Sequence, residues 1–265
     1  MKISVVIPAY NVEDVLEDAL HSVLTQTKLN YICEIIIVND GSADATLDKM
    51  KELKASINTI PIVLISQNNR GASSARNAGM KIAQGDWIAL LDADDEWLPN
   101  KIEVQVNTIM NHPEIDFLGC QHNDKQLRIG IKKITKLYHV SIKDLCIKSF
   151  PVTPAILFKK SILDKVGYFD EHQRYCEDSN FCLRVCEQCH FYQLPDSLVR
   201  IGHGKPSIGF SGLSSNIKGM NEGFKKNMKE VRKKGLISLP FYWFISCFNF
   251  MKYIRRILIV KLRSK

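Results

Sequence analysis

The chain has 265 residues, 45% hydrophobic and 24% charged, which is enough for one large domain or two intimate lobes and excludes a disordered chain. Its formal charge of +8 is unevenly placed: residues 218–265 hold 13 Lys and Arg against 2 acids, and the remainder holds 23 against 26. That mildly acidic body argues against a nucleic-acid groove, so no nucleic-acid partner is expected.

Ile3 to Ile7, interrupted only by Ser4, predicts a first strand; it is too short for a leader, so the protein is expected in the cytoplasm. Val12, Val15, Leu16, Ala19, Leu20, Val23 and Leu24 then recur at the spacing of one helix face. Glu34 to Val38 reads as the second strand. Ser42, Asp44 and Thr46 offer capping chemistry to a helix through Leu47, Met50 and Leu53, and Pro61 to Ser66 gives the third strand. A small-residue helix, Ala72 to Ala83, leads into the fourth, Trp87 to Leu91. Continuous apolar strands separated by amphipathic helices indicate parallel βαβ units covered on both faces, in which ligands gather at the carboxyl ends of the strands. Beyond them come a helix from Pro99 to Asn111, a strand near Ile115 to Cys120, Lys-rich loops, a strand from Ala155 to Phe158 and a helix from Ser161 to Val166.

The fourth strand ends in Asp92-Ala93-Asp94-Asp95. Carboxylates this close raise one another's pKa unless a cation sits among them, and a hard divalent ion that also grips phosphate oxygens is one solution. The other is an acidic turn that caps the helix near Pro99. Asp40 ends the second strand, where Asp40-Gly41 is also a strong turn pair. No dinucleotide fingerprint or phosphate loop is present; residues 202–207 have the wrong spacing, and Pro206 cannot donate a backbone N–H.

Several ordered pieces belong together: Val6-Ile7-Pro8-Ala9-Tyr10-Asn11, Ser22 to Thr27, Glu34 to Ser42, Asn69-Arg70-Gly71 with Ala75-Arg76-Asn77-Ala78-Gly79, the Asp92 cluster, Val166 to Glu171, and Glu177-Asp178 followed by Arg184. Over about residues 3 to 210 the chain resembles the family-two glycosyltransferases, whose GT-A fold is a Rossmann-like, mostly parallel α/β sheet flanked by helices. The resemblance implies a nucleotide-sugar-binding half over 1–99 and an acceptor-binding half over 100–217 of one domain; the charge and composition of 218–265 mark a basic, amphipathic, helical membrane-associating tail.

It also assigns roles. Asp94 would bind Mn²⁺ or Mg²⁺, with Asp92 on the ribose or at the metal and Asp95 as the spare ligand. Pro8, Ala9 and Tyr10 would edge the base, with Asp40 accepting from a uracil-type imide. Arg76 would approach the diphosphate or base, or else be a helix-face arginine paired with an acid. In the pair Glu177-Asp178, Asp178 would take the acceptor proton and Glu177 orient it; an acidic first turn complementing the helix dipole would place the same residues there. His203, in Arg200-Ile201-Gly202-His203, would stand near phosphate or metal, or be a plain polar side chain.

The tail runs from Leu236 with Phe241, Trp243, Phe244, Phe248 and Phe250, then Lys252, Arg255, Arg256, Lys261 and Arg263. It is too interrupted to span a bilayer but suits a helix lying in the interface of an anionic membrane, the alternative being a helix docked on the body. Cys186-Glu187-Gln188-Cys189-His190 matches a haem-attachment pattern that would need export, and Cys176, Cys182, Cys186 and Cys189 invite zinc. A buried helix face lined with thiols accounts for the spacing.

The expectation is an inverting, metal-dependent transferase that moves a sugar, preferably from a UDP-sugar, to a glycan or lipid-linked acceptor in bacterial cell-surface polysaccharide or lipopolysaccharide synthesis, peripheral on the inner face of the cell membrane. A sugar-phosphate nucleotidyltransferase and a non-catalytic membrane-binding protein are the alternatives.

Overall fold

The computed structural model describes residues 1–202 and 215–263. Ile3–Ala9 (β1), Leu16–Leu24 (α1), Ile32–Asn39 (β2), Thr46–Ser56 (α2), Ile62–Ser66 (β3), Ala72–Ile82 (α3) and Trp87–Leu90 (β4) alternate as expected. The four strands pair in parallel, Val5 standing between Ile35 and Ala89. Strand alternation divides their apolar residues between two layers. Val5, Ile7, Ile35 and Ile37 meet α1 and α2, while Val6, Ile36, Val38, Ile88 and Leu90 meet α3. Gly79 lets α3 lie directly on β1, because a Cβ there would approach Val6 Cγ1 to 2.4 Å.

The N-cap of α2 is Ala45, with no side-chain cap bond, although Asp44 Oδ1 accepts from Thr46 N at 3.0 Å; Ser42 and Thr46 reach instead to the neighbouring loop. Ser42 Oγ accepts from Asn11 N at 3.0 Å and Thr46 Oγ1 from Val12 N at 2.8 Å, while Asn11 Oδ1 accepts from Ala43 N at 2.9 Å. These bonds tie the β1–α1 loop to the β2–α2 loop, so the two strand ends open onto one rigid rim. They also hold residues 12–15 in a turn, so α1 starts at Leu16 rather than Val12.

The second half adds Glu96–Trp97 (β5), Lys101–Asn111 (α4), Phe117–His122 (β6), the hairpin of Arg128–Ile129 (β7) and Lys132–Lys133 (β8), Tyr138–His139 (β9), Ile142–Ile147 (α5), Leu157–Lys159 (β10), Leu163–Val166 (α6), Glu177–Gln188 (α7) and Phe191–Arg200 (β11). Among the described residues nine strands form one sheet in the order β3-β2-β1-β4-β10-β6-β11-β5, with β9 on β11. β10 runs antiparallel between β4 and β6. The sheet is therefore continuous across residues 99 and 100. β11 escapes the sequence pattern because Pro195-Asp196-Ser197 interrupts it, and its pairing with β6 is irregular at that point.

The basic C-terminal segment divides into two helices with different surroundings. In Ile217–Lys233 (α8), Asn227, Met228 and Val231 are buried. Asn227 Oδ1 accepts from Gln173 Nε2 at 2.8 Å, and its Nδ2 donates to the Cys176 carbonyl at 3.0 Å. Gly219 and Gly223 lie on Tyr175, where a Cβ would come within 2.5 and 2.2 Å. α8 is thus part of the body. Leu239–Arg263 (α9) buries Ile245 and rests Phe241, Tyr242 and Phe248 on the α3-side layer, but leaves Trp243, Cys247, Phe250, Met251, Ile254, Leu258 and Leu262 exposed along one stripe. Among the described residues no helix is long and apolar enough to cross a membrane. All eight cysteines are free thiols, and Cys182, Cys186 and Cys189 line the same apolar layer.

Candidate active site

The carboxyl ends of β1, β2 and β4 open onto a cleft of about 900 Å³, a size suited to a small-molecule ligand. Pro8, Ala9 and Tyr10 form its first edge, followed by Asp40, Arg70 and Gly71, then Arg76 of α3, Asp92 and Asp94 after β4, and Glu177 at the start of α7. Residues far apart in sequence therefore meet in one wall. Asp95 and Asp178 stand just behind that wall, and His203 lies outside the described residues.

Asp40 is buried, and its carboxylate is heavily used. Oδ1 accepts from Gln67 Nε2 at 2.7 Å and Arg70 N at 2.9 Å, and Oδ2 from Gly71 N at 2.7 Å. A carboxylate offers about four lone-pair positions, so about one remains for a ligand. The first task of Asp40 is to fix the loop from Gln67 to Gly71 against β2.

Arg76 is the buried cation of the cleft wall and is paired there. NH2 donates to Asp92 Oδ1 at 2.6 Å, NH1 lies 3.6 Å from Glu177 Oε1, and the guanidinium carbon sits 5.6 Å from the Phe169 ring centre. Burial works against its charge, but Asp92 and Glu177 outweigh that cost and hold its pKa above the ordinary value. Nε and NH1 make no hydrogen bond among the described residues. A buried guanidinium with donors to spare suits an anionic ligand.

The acidic run separates by position. Asp92 and Asp94 reach the cleft, whereas Asp95 turns inward and accepts from Gly202 N at 2.9 Å. Burial, with Asp92 and Asp94 adding to it, pushes the Asp95 carboxyl up to about 8. Among the described residues no group of three or more His, Cys, Asp and Glu side chains is gathered to hold a metal ion. Two carboxylates on a cleft wall still fit Mg²⁺ or Mn²⁺, which commonly take one or two carboxylates and complete their shell with water and substrate phosphate.

At the start of α7, Cys176 takes a left-handed conformation, φ 57°, that turns the chain so Glu177 enters the cleft. Burial, then the neighbouring Asp178, push Glu177 up to about 7, against the pull of Arg76. Asp178 is also raised, chiefly by burial, and its Oδ1 accepts from Ser179 N at 2.7 Å. Raising the pKa of a carboxylate makes it a stronger base, better matched to taking a proton.

Two positioning residues had no assigned role in the motifs that contain them. Asn77 donates to the Phe169 carbonyl at 2.9 Å and Glu171 Oε1 at 3.0 Å, and Glu171 Oε2 receives Arg70 NH2 at 2.8 Å. They fasten α3 to the loop that leads to the acid pair. Tyr175 and Asn216 close the same side, Asn216 Nδ2 donating to Tyr175 Oη at 2.8 Å. The Gly219/Gly223 spacing on α8 is the sequence signal that this helix packs there.

Residues 4–167 match the model of glycosyl transferase family 2. The chain belongs to that family. This glycosyltransferase is 40% identical over 108 residues to the putative teichuronic acid biosynthesis glycosyltransferase TuaG of Bacillus subtilis, a match covering 41% of this chain and 42% of TuaG. It is 36% identical over 110 residues to the UDP-Glc:alpha-D-GlcNAc-diphosphoundecaprenol beta-1,3-glucosyltransferase WfgD of Escherichia coli, covering 42% of each. Among solved structures, S. aureus TarS 1–349 in complex with UDP-GlcNAc superposes with a TM-score of 0.69 at 20% identity, covering 87% of this chain and 66% of that one. The fold of this glycosyltransferase is GT-A.

Proposed function

We propose that this glycosyltransferase moves a sugar, with inversion, from a UDP-sugar to a glycan acceptor carried on a lipid diphosphate, in the synthesis of a bacterial surface polysaccharide. The observation that carries this reading is the meeting of Arg76, Asp92, Asp94 and Glu177 in one cleft rimmed by Pro8, Ala9, Tyr10 and Asp40. The donor preference draws on the UDP-GlcNAc complex of TarS, and the acceptor class on WfgD. TuaG and WfgD support the pathway class.

In this mechanism the base lies against Pro8 to Tyr10, with its imide N–H on the remaining lone pair of Asp40. The spare donors of Arg76 take a diphosphate oxygen. Mn²⁺ or Mg²⁺, held by Asp94 with Asp92 and the donor phosphates, would stabilise the charge that develops on the leaving diphosphate. The acceptor hydroxyl attacks the anomeric carbon from the face opposite the diphosphate. Its proton passes to Asp178, the bond to the phosphate oxygen breaks, and UDP leaves. Glu177, paired with Arg76, orients the acid pair. The first half of the chain binds the donor and residues 100–217 the acceptor.

The enzyme works at the cytoplasmic face of the cell membrane, where the exposed apolar stripe of α9 beside Arg255 and Lys261 rests on anionic lipid. The test is calorimetry of UDP, GDP, dTDP and CMP with and without Mn²⁺, followed by assay of the released product. Metal-enhanced binding of UDP and release of UDP on turnover support the reading. Release of pyrophosphate would replace it with nucleotidyl transfer.

A further inference from the structure

A second group of charges lies next to the acid pair. Ser179, whose N–H holds Asp178, has its Oγ 2.5 Å from Ser149 Oγ, and the residue before Ser149 is the half-buried Lys148. From the other side, Lys252 of α9 donates through Nζ to the carbonyl of Ile147 at 3.1 Å, with Nζ 5.1 Å from the Phe248 ring centre. Arg256, one turn further along α9 and also half-buried, acts electrostatically on Cys176, the residue before Glu177. Lys148 at the end of α5 and Lys252 of α9 thus meet beside the first turn of α7, and Lys125, in the loop after β6, acts electrostatically on Lys148.

Among the described residues none of Lys125, Lys148, Lys252 and Arg256 makes an ion pair within 4.0 Å. Asp144, the acid of α5, is occupied by Ser141 and Tyr138. Burial, then Arg256 and Lys148, press Lys252 down to about 8, and burial with Lys125 lowers Lys148. Lysines on a solvated face would stand apart with ordinary pKa values; these converge, partly desolvated, and repel one another, a cost that a bound polyanion would relieve.

We infer that Lys148, Lys252 and Arg256, with Lys125 at the rim, form a cradle for the diphosphate of a lipid-linked acceptor, holding it beside Asp178. The position on α9 accounts for the lipid. Lys252 and Arg256 are half-buried on α9, Lys252 reaching the body at Ile147, while Phe250, Met251, Ile254 and Leu258 of the same turns are exposed to receive the hydrocarbon surface from which the acceptor emerges. The cradle deepens the reading of the cleft as a transferase centre and rests on it. It gives this chain a preference for phosphorylated over neutral acceptors.

The probe is farnesyl diphosphate, titrated into the full chain saturated with UDP so that the donor cleft is filled, with farnesol and phosphatidylglycerol vesicles as comparisons. The expected result is binding of farnesyl diphosphate but not farnesol, weakened at least about tenfold in Lys148→Gln/Lys252→Gln and retained in Lys252→Arg. Unchanged UDP affinity in the double variant reports an intact fold. Equal affinity of wild type and double variant for farnesyl diphosphate would overturn the cradle. So would competition between that ligand and UDP, or a loss confined to the vesicles. Absence of UDP binding to the wild type counts instead against the donor reading, so the two fail separately.

Discussion

Arg76 NH2 donates to Asp92 Oδ1 at 2.6 Å, joining the first turns of α3 to the end of β4 across the floor of the cleft. The cation that pairs with Asp92 and Glu177 is thus held in place before any ligand arrives. Arg76→Ala leaves Asp92 and Glu177 partly buried without their counter-charge. The expected loss is about 3–5 kcal/mol of stability, together with weaker UDP binding. Thermal melting and calorimetry read the two effects, and a variant that melts and binds like wild type would remove Arg76 from the site.

Asp94→Ala is expected to abolish the enhancement of UDP binding by Mn²⁺. Isothermal titration with and without Mn²⁺ makes the comparison. Metal enhancement that survives in the variant would move the ligand role elsewhere.

Asp178→Asn removes the proposed proton acceptor but keeps the side-chain oxygen that receives Ser179 N–H. Transfer is expected to fall by about 10²–10⁴ with UDP affinity unchanged. Wild-type turnover would exclude Asp178 as the base.

Glu177 gives a pH signature. Its pKa is held up to about 7 by burial and Asp178, so the carboxylate that pairs with Arg76 becomes protonated as pH falls through that value. The log of kcat/KM is expected to drop with a slope of about one per pH unit below about 7, and Glu177→Gln should flatten that limb. An unchanged profile in the variant assigns the limb to another group.

Lys101 tests the body of the fold rather than the site. It is fully buried, its Nζ donating to Gln105 Oε1 at 2.8 Å and lying 4.0 Å from the Trp97 ring centre. Burial lowers its pKa to about 8, against roughly 10.4 in an unfolded chain. Between those values the unfolded state binds more protons, so stability should rise with pH through that window and level off above it. Urea unfolding from pH 7.5 to 10.5 should show the rise in wild type and its absence in Lys101→Met; equal slopes would contradict it.

The surface of α9 makes a separable prediction. Phe250→Glu with Leu258→Glu changes exposed residues, so stability should move by only about 0.5 kcal/mol, while sedimentation with phosphatidylglycerol vesicles should be lost. Undiminished vesicle binding would leave the stripe without that role. Substitution is the sounder test than deletion, because removing the helix would strip Ile245, Phe241 and Phe248 from the core.

The sequence by itself determined the alternation of strands and helices through Leu90, the two-sided burial of the sheet, and the family, because period-two and helix-period patterns and ordered short motifs are local properties of the chain. It also placed Pro8 to Tyr10, Asp40, Arg76, Asp92, Asp94 and Glu177 among the candidates that now line one cleft. Only the tertiary structure decided which groups meet. Asp40 proves to be largely occupied by its own loop, Asp95 turns away to Gly202, and Arg76 spans Asp92 and Glu177, since such pairings depend on chain segments 16 to 107 residues apart. β11 was hidden by the Pro195 interruption, and α8 by a surface rich in lysine. The helix is fixed to the body by Asn227 and by glycines that fit against Tyr175, contacts whose partners lie on another element and leave no periodic signal in its own sequence.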